Sequence, residues 1–255
     1  MAKVITRLEK DEASIVTLEY LASILDELDI RTPVTVFAAR MKEKGWLEAT
    51  RMRGVWRFLR AESDDPSVLF DAKAFALLHK DEPFALAGET ALWKLGYSLA
   101  DPVFIDVCFP KVVPRLVMPS SFRPHVFEAA LPLCKEKEFS CLCLESAFVD
   151  IAAKPQIVGA WDKAVEWLPC VSADLEWEGI TRELEDRPAS VAARTGYLLQ
   201  GVRPDLAVRI MRAFPPKGKA RFGPRAASLR NDAVWQIADT LLSFDPRLLG
   251  ARTGR

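Results

Sequence analysis

Few residues in this chain have the chemistry for catalysis. The sequence contains two histidines, His79 and His125, so a histidine-based metal site or a Ser-His-Asp relay would have to use one of them. His79 ends an apolar stretch and His125 follows a proline, and both are interpreted as structural. The chain has no GxGxxG, Walker A, HExxH or GxSxG motif. The sequence therefore predicts no catalytic residue, no cofactor and no metal.

One thiol pair and one carboxylate are further candidates for a metal site or a catalytic site. Cys141 and Cys143 lack the two-residue gap that lets neighbouring thiolates chelate one zinc ion. Asp106 lies in a predicted strand after a helix that follows Gly88, a layout similar to that of nucleotidyltransferases. Those enzymes need two or three carboxylates to hold two metals, and only one is present here. A structural carboxylate is favoured, and a nucleotidyltransferase- or nuclease-related enzyme remains the alternative.

Basic charge is concentrated near the N-terminus. The chain is neutral overall, but positions 31–60 carry eight Lys/Arg and two Asp/Glu, whereas positions 1–30 carry three and seven. Positions 61–202 are acidic and positions 203–255 are basic. Clustered cations are the electrostatic signature of a phosphate-binding surface. The window 31–60 is therefore the first candidate for contact with nucleic acid.

Two helices separated by a short turn are predicted next. The first lies just before that basic window, and the second lies within it. Residues 17–30 have a leucine stripe with helical spacing, formed by Leu18, Leu21, Leu25 and Leu28. Thr32 is predicted to cap the second helix, with Pro33 in its first position. This helix is predicted to run to Lys44 and to end at a left-handed Gly45. The pair is typical of a helix-turn-helix.

A β-hairpin is predicted directly after the second helix. Residues 46–50 and 55–59 are rich in aromatic and apolar side chains, and Arg51, Arg53 and Gly54 lie between them. A hairpin with arginines at its tip, following a basic helix, is typical of a wing. Residues 3–10 form a plausible first helix. We predict an N-terminal winged helix-turn-helix that binds DNA, although such a fold also binds proteins in some cases.

Helical geometry selects the residues expected to contact DNA. The core face of the second helix consists of Val34, Phe37, Ala38 and Met41, so the opposite face is available to the major groove. Side chains of Lys42, Arg51, Arg53 and Arg57 are expected to reach backbone phosphates. The residues expected to face the major groove are Arg31, Thr32, Thr35, Val36, Ala39 and Arg40.

The remaining chain is predicted to form a larger mixed domain. We expect an α+β fold with residues 1–62 as the winged helix, 63–82 as linker and connecting helix, and 83–255 as the C-terminal domain. Helices are expected over 68–79, 84–97 and much of 144–213, and strands over 103–109, 112–118 and 234–238. The five cysteines are expected to be buried, reduced thiols. No signal peptide or membrane span is predicted, which favours the cytoplasm.

Several dispersed motifs occur along the chain. They are Lys44-Gly45-Trp46-Leu47 with Arg53-Gly54-Val55-Trp56, the stretch 87–96 leading into a strand at 103–110, Leu144–Ile151 with Lys154-Pro155, and Ala193–Leu199. Together these motifs resemble the AbiEi family of antitoxins from type IV, or abortive infection, toxin–antitoxin systems. The resemblance implies a repressor that binds its own promoter DNA through the N-terminal domain. It also implies a C-terminal domain that opposes a partner toxin of nucleotidyltransferase type.

Overall fold

The computed structural model describes residues 1–50, 52–59, 67–79, 82–97, 101–116, 118–135, 139–159 and 161–250. The chain divides into two units. Unit 1 comprises Met1–Glu82 and Arg115–Phe122, and unit 2 comprises Pro83–Pro114 and Arg123–Arg255. Helices and several separate sheets occur in the described residues, so the fold is α+β, as the sequence predicted.

Unit 1 begins with a helix, a short strand, two helices and a β-hairpin. These elements are α1 (Ala2–Lys10), β1 (Ile15–Thr17), α2 (Leu18–Glu27), α3 (Val34–Glu43), β2 (Leu47–Ala49) and β3 (Val55–Phe58), followed by α4 (Ser67–Leu78). The strand order is β1-β3-β2 and both pairs are antiparallel. Strand β1 was not predicted, because three residues are too few to show an alternating pattern.

The core of unit 1 is built mostly from the three helices. Leu21 and Leu25 of the predicted stripe are buried, and Leu28 packs against the core. Leu18 is 38% exposed, so its predicted place in the core is wrong, and Ile24 is buried instead. The reason is local. Helix α2 begins only at Leu18, whose N–H donates to the Gly54 carbonyl of the hairpin turn at 2.9 Å.

The two ends of α3 differ in how well they were predicted. Thr32 does not cap the helix: α3 begins at Val34, and the residue before it, Pro33, has no side chain that could accept a hydrogen bond. Gly45 has φ +76° and ends the helix in the left-handed conformation, as predicted. The N–H of Gly45 donates to the Lys42 carbonyl and that of Trp46 to the Met41 carbonyl. This Schellman arrangement fixes where the chain turns into β2.

Unit 2 combines a mixed sheet with a helical segment and a small second sheet. The mixed sheet has the order β6-β5-β4-β8-β7, with α5 (Gly88–Lys94) between β4 and β5. Its strands are β4 (Ala85–Leu86), β5 (Ile105–Phe109), β6 (Phe122–Val126), β7 (Cys134–Lys135) and β8 (Ser140–Cys141). The first residue of β6 belongs to unit 1.

The helical segment of unit 2 precedes a small sheet of order β10-β11-β9. Strand β11 pairs with β10 antiparallel and with β9 parallel. The helices are α6 (Leu144–Ala153), α7 (Ala164–Asp174), α8 (Trp177–Leu184), α9 (Ala189–Leu199) and α10 (Pro204–Ala213), and the strands are β9 (Ala220–Phe222), β10 (Arg230–Asp232) and β11 (Ile237–Asp239).

Several predicted elements of unit 2 are wrong. The predicted helix over 84–97 begins only at Gly88, because Ala85–Leu86 pairs with β5 and β8 as a strand. No strand occurs among the described residues of 112–118, which lie close to two prolines that cannot donate ladder hydrogen bonds. The late strand begins at Ile237 because Gln236 has φ +53° and ends a turn.

Burial separates the cysteines into two groups. Cys108 and Cys141 are buried, and burial raises the pKa of the Cys108 thiol. Cys134 and Cys170 are exposed, so the prediction of buried thiols is wrong for these two. All five are free. No helix in the described parts of the chain is long and apolar enough to cross a bilayer.

Candidate nucleic-acid interface

The outward face of α3 consists of the residues that helical geometry selected. Phe37, Ala38 and Met41 are buried, and this orients the opposite face to solvent. Arg31, Arg40 and Lys42 form no ion pair within the described residues. The structure exposes Arg31, Thr35, Val36, Ala39, Arg40 and Lys42 and leaves Thr32 partly exposed. The face therefore presents three unpaired cations, Arg31, Arg40 and Lys42, beside small and β-branched side chains that can approach a ligand closely.

The β2–β3 hairpin, which follows this helix in the sequence, carries a further exposed cation, Arg53. Arg53 is exposed, and Gly54 has φ +77°, which closes the turn. The Thr50 hydroxyl accepts from the Met52 N–H at 3.0 Å and donates to the Val55 carbonyl at 2.8 Å, which orders the hairpin. Arg51, also predicted to reach phosphate, lies outside the described residues.

Arg57 is less available for a phosphate contact than the sequence predicted. Its guanidinium lies 4.0 Å from a Glu48 carboxylate oxygen and 5.9 Å from the ring centroid of Phe70. Only 21% of its side chain is exposed. A phosphate would have to compete with these contacts, so the unpaired Arg40, Lys42 and Arg53 are the stronger cationic candidates in unit 1.

The candidate catalytic carboxylate of unit 2, Asp106, is fully buried and paired. Arg123 Nε lies 2.8 Å from Asp106 Oδ1, and the Glu89 N–H donates to Oδ2 at 3.2 Å. Burial raises the pKa of Asp106 to about 7, against the opposing effect of Arg123. A side chain at Gly88 would place its Cβ 3.0 Å from Asp106 Oδ2. The carboxylate is therefore held by Arg123 and by the backbone at the start of α5.

The N-terminal end of α5, where Asp106 accepts a hydrogen bond, also contacts a second buried carboxylate, that of Asp150. Asp150 accepts from the Gly88 N–H at 3.1 Å and lies 2.9 Å from His125 Nε2. The first N–H groups of α5 are therefore taken by carboxylates of the chain itself. Among the described residues, no cluster of three or more His, Cys, Asp or Glu side chains could hold a metal ion.

In unit 2, residues of the AbiEi-like motifs make buried side-chain contacts. Ser146 donates to Glu183 at 2.6 Å, and Tyr197 donates to Asp239 at 2.8 Å. At Gly196 a Cβ would lie 2.0 Å from the Trp235 ring, so only glycine lets that ring pack on α9. These contacts join α6 to α8 and α9 to the small sheet. These motif residues therefore contribute to the packing of unit 2.

The chain is similar to a known protein family and to a solved structure. Residues 139–201 match the family model described as AbiEi antitoxin C-terminal domain. No curated protein matches the chain. The crystal structure of the RV2827C protein from Mycobacterium tuberculosis is similar, with 22% identity, a TM-score of 0.79 and coverage of 99% of this chain and 93% of that chain. At this identity the likeness concerns the fold alone.

The matched segment contains all of α6, α7, α8 and α9, including the contact of Ser146 with Glu183. The resemblance to AbiEi-like antitoxins is thereby confirmed. The match supports the role of an antitoxin in a toxin–antitoxin system.

Proposed function

We propose that this chain is a DNA-binding transcriptional autoregulator and the antitoxin of a type IV toxin–antitoxin system. In this proposal unit 1 contains a winged helix-turn-helix, with α3 as recognition helix and β2–β3 as wing. The protein acts in the cytoplasm, where its promoter DNA lies, without catalytic activity of its own. The partner opposed by the C-terminal domain, residues 83–255, is a toxin of nucleotidyltransferase type.

The observation that carries the DNA-binding proposal is the exposed, unpaired cationic face of α3. The order of helix, strand, two helices and hairpin is the order that a winged helix requires, and it supports the same function. Arg40 is the proposed base-reading side chain, because a guanidinium can contact a guanine edge through two hydrogen bonds. Lys42 and the hairpin arginines are proposed phosphate contacts.

A binding titration tests the recognition helix. The full chain is titrated against the DNA upstream of its own gene and against unrelated DNA, as wild type and as Arg40→Ala. Arg40→Ala should weaken binding to the upstream DNA by about 1–3 kcal/mol and relax base preference at one position. Lys10→Ala removes an exposed cation from α1 and should leave the preference intact. Equal losses on both DNAs would reduce Arg40 to a phosphate contact.

A salt titration tests the wing. Replacing Arg51 and Arg53 with alanine should weaken binding to every duplex, because phosphate contacts carry no sequence information. The log–log dependence of affinity on salt should become shallower by about 1–2, since each neutralised phosphate releases about 0.9 counterion. An unchanged slope would mean that α3 carries the interaction without the hairpin.

Co-expression tests the antitoxin role. The chain is expressed with the nucleotidyltransferase-like product of a neighbouring reading frame, and growth is followed. Wild type should restore growth, and Arg40→Ala should restore it equally while losing repression of the promoter. Such a separation is expected because the two functions are assigned to different units. Failure of the wild type to restore growth would contradict the proposed toxin partner.

A further inference from the structure

A long stretch near the C-terminus carries basic charge without any acid. Between Asp205 and Asp232 the sequence has seven Lys or Arg residues and no Asp or Glu. The stretch includes α10, β9 and the first residues of β10. Such a run concentrates positive potential on one part of unit 2, although the whole chain is neutral.

The acids that border this stretch are already engaged. Asp205 pairs with Arg203 at 3.0 Å, and Asp245 pairs with Arg247 at 2.7 Å. Asp239 is buried and accepts from Tyr197 and Arg230. Asp232 is 5% exposed and accepts from the Trp235 N–H at 2.8 Å. The exposed cations have no acidic partner in the described residues: Lys217, Lys219, Arg221 and Arg225.

The register of the small sheet places donors on its outer face. Ala238 is paired with Arg221 on one side and Asn231 on the other, and these three side chains share the outer face. Ala220 and Phe222, which alternate with Arg221, are buried. A concavity of about 480 Å³ lies on this sheet and is lined by Lys219, Asn231, Asp232, Ala233, Gln236, Ile237 and Ala238. Its one acid, Asp232, is buried. We call Lys217, Lys219, Arg221, Arg225 and Asn231 the basic sheet face.

Strand β9, which carries Arg221, is held by contacts on its buried side and at its edge. Phe222 contacts the rings of Trp161 and Tyr197 beneath the sheet. The Arg221 carbonyl accepts from Arg194 Nε at 2.7 Å. This contact uses an edge carbonyl of β9 that could otherwise pair with an added strand. Arg221 therefore projects from a fixed backbone, which lowers the entropy lost when a ligand binds.

We propose that the basic sheet face is a second DNA-contacting surface, which binds the phosphodiester backbone without reading bases. Lys, Arg and Asn side chains are the usual phosphate donors, whereas lysine is depleted where protein interfaces are fully buried. The inference deepens the proposed function, because it assumes that DNA is the ligand, but it depends on unit 2 and not on α3.

The test compares two full-chain variants of equal charge. The first replaces Lys217, Lys219, Arg221 and Arg225 with glutamine. The control replaces four exposed cations elsewhere in unit 2 with glutamine, namely Lys111, Lys135, Lys163 and Arg182. Affinity for a random duplex of about 30 base pairs is measured over a range of salt concentrations. The first variant should bind at least about tenfold more weakly, with a salt slope shallower by about 2–4. The control should stay close to wild type.

A two-residue variant keeps the test independent of folding. Lys217→Gln with Arg225→Gln changes only residues outside the β-ladder and should give about half of the slope change. Competition with inorganic phosphate, duplex RNA and poly-glutamate identifies the ligand chemistry. Duplex DNA should compete best, and inorganic phosphate should not compete at equal phosphate concentration. Stronger competition by poly-glutamate would indicate an acidic protein partner and overturn the proposal.

The two DNA-binding proposals fail in different ways. If the four-residue variant matches wild type in affinity and salt slope, the basic sheet face does not contact DNA, whatever α3 does. If that variant weakens binding while Arg40→Ala retains the preference for upstream DNA, the role of the recognition helix is wrong and the basic sheet face stands.

Discussion

Arg123→Gln should destabilise the protein in a pH-dependent manner. In the folded protein the pKa of Asp106 is raised to about 7 from its ordinary value of 3.8, because the carboxyl is buried, while Arg123 opposes the rise. A folded state that holds a proton more tightly than the unfolded state loses stability as pH rises from about 4 through about 7. Removing Arg123 raises the pKa of Asp106 further and extends that loss to higher pH.

The size of the effect follows from the protonation state. At about pH 6 the Asp106 carboxyl is mostly protonated, so the variant loses mainly hydrogen bonds, each contributing about 0.5–1.5 kcal/mol. Above about pH 7 each further pH unit costs the variant up to about 1.4 kcal/mol. Between about pH 6 and 8.5 the deficit should therefore grow by about 1–3 kcal/mol. For a chain of this length this corresponds to a widening of the gap in Tm by about 3–8 °C.

Thermal unfolding of the full chain at several pH values measures this gap. Arg203→Gln is a matched control, because its partner Asp205 is exposed and has a lowered pKa, so its effect should not change above about pH 6. Adding Asp106→Asn to Arg123→Gln should remove the pH dependence, because no carboxylate is left to ionise. A gap that stays constant from about pH 6 to 8.5 in the single variant would refute the reasoning.

Three further predictions concern packing and accessibility in unit 2. Gly196→Ala should lower stability by about 1–3 kcal/mol in denaturant titrations, because its Cβ would lie 2.0 Å from the Trp235 ring. Tyr197→Phe should cost about 1–3 kcal/mol by the same measurement, since Asp239 loses a buried donor but keeps Arg230; a neutral result would show that Arg230 suffices. A thiol reagent should modify two cysteines in the folded protein and two others only after unfolding, namely Cys134 and Cys170 before Cys108 and Cys141.

Local patterns explain why much of unit 1 was predictable. The spacing of Phe37 and Met41 marks the buried face of α3, and Gly45 marks its end, because both signals arise within a few residues of the element they define. The hairpin follows from aromatic strands around Gly54. Strands of two or three residues, such as β1 and β4, leave no such pattern, and β4 exists only because β5 and β8 flank it.

The sequence by itself determined the α+β class, the faces of the N-terminal helices and the AbiEi-like resemblance, because periodicity, turn residues and motifs are read along the chain. Tertiary structure decided the rest. Asp106 and Arg123 are 17 positions apart, His125 and Asp150 are 25 apart, and Tyr197 and Asp239 are 42 apart. Whether a carboxylate is buried against a cation, and whether cations such as Lys219 stay unpaired, depends on which distant segments the fold brings together.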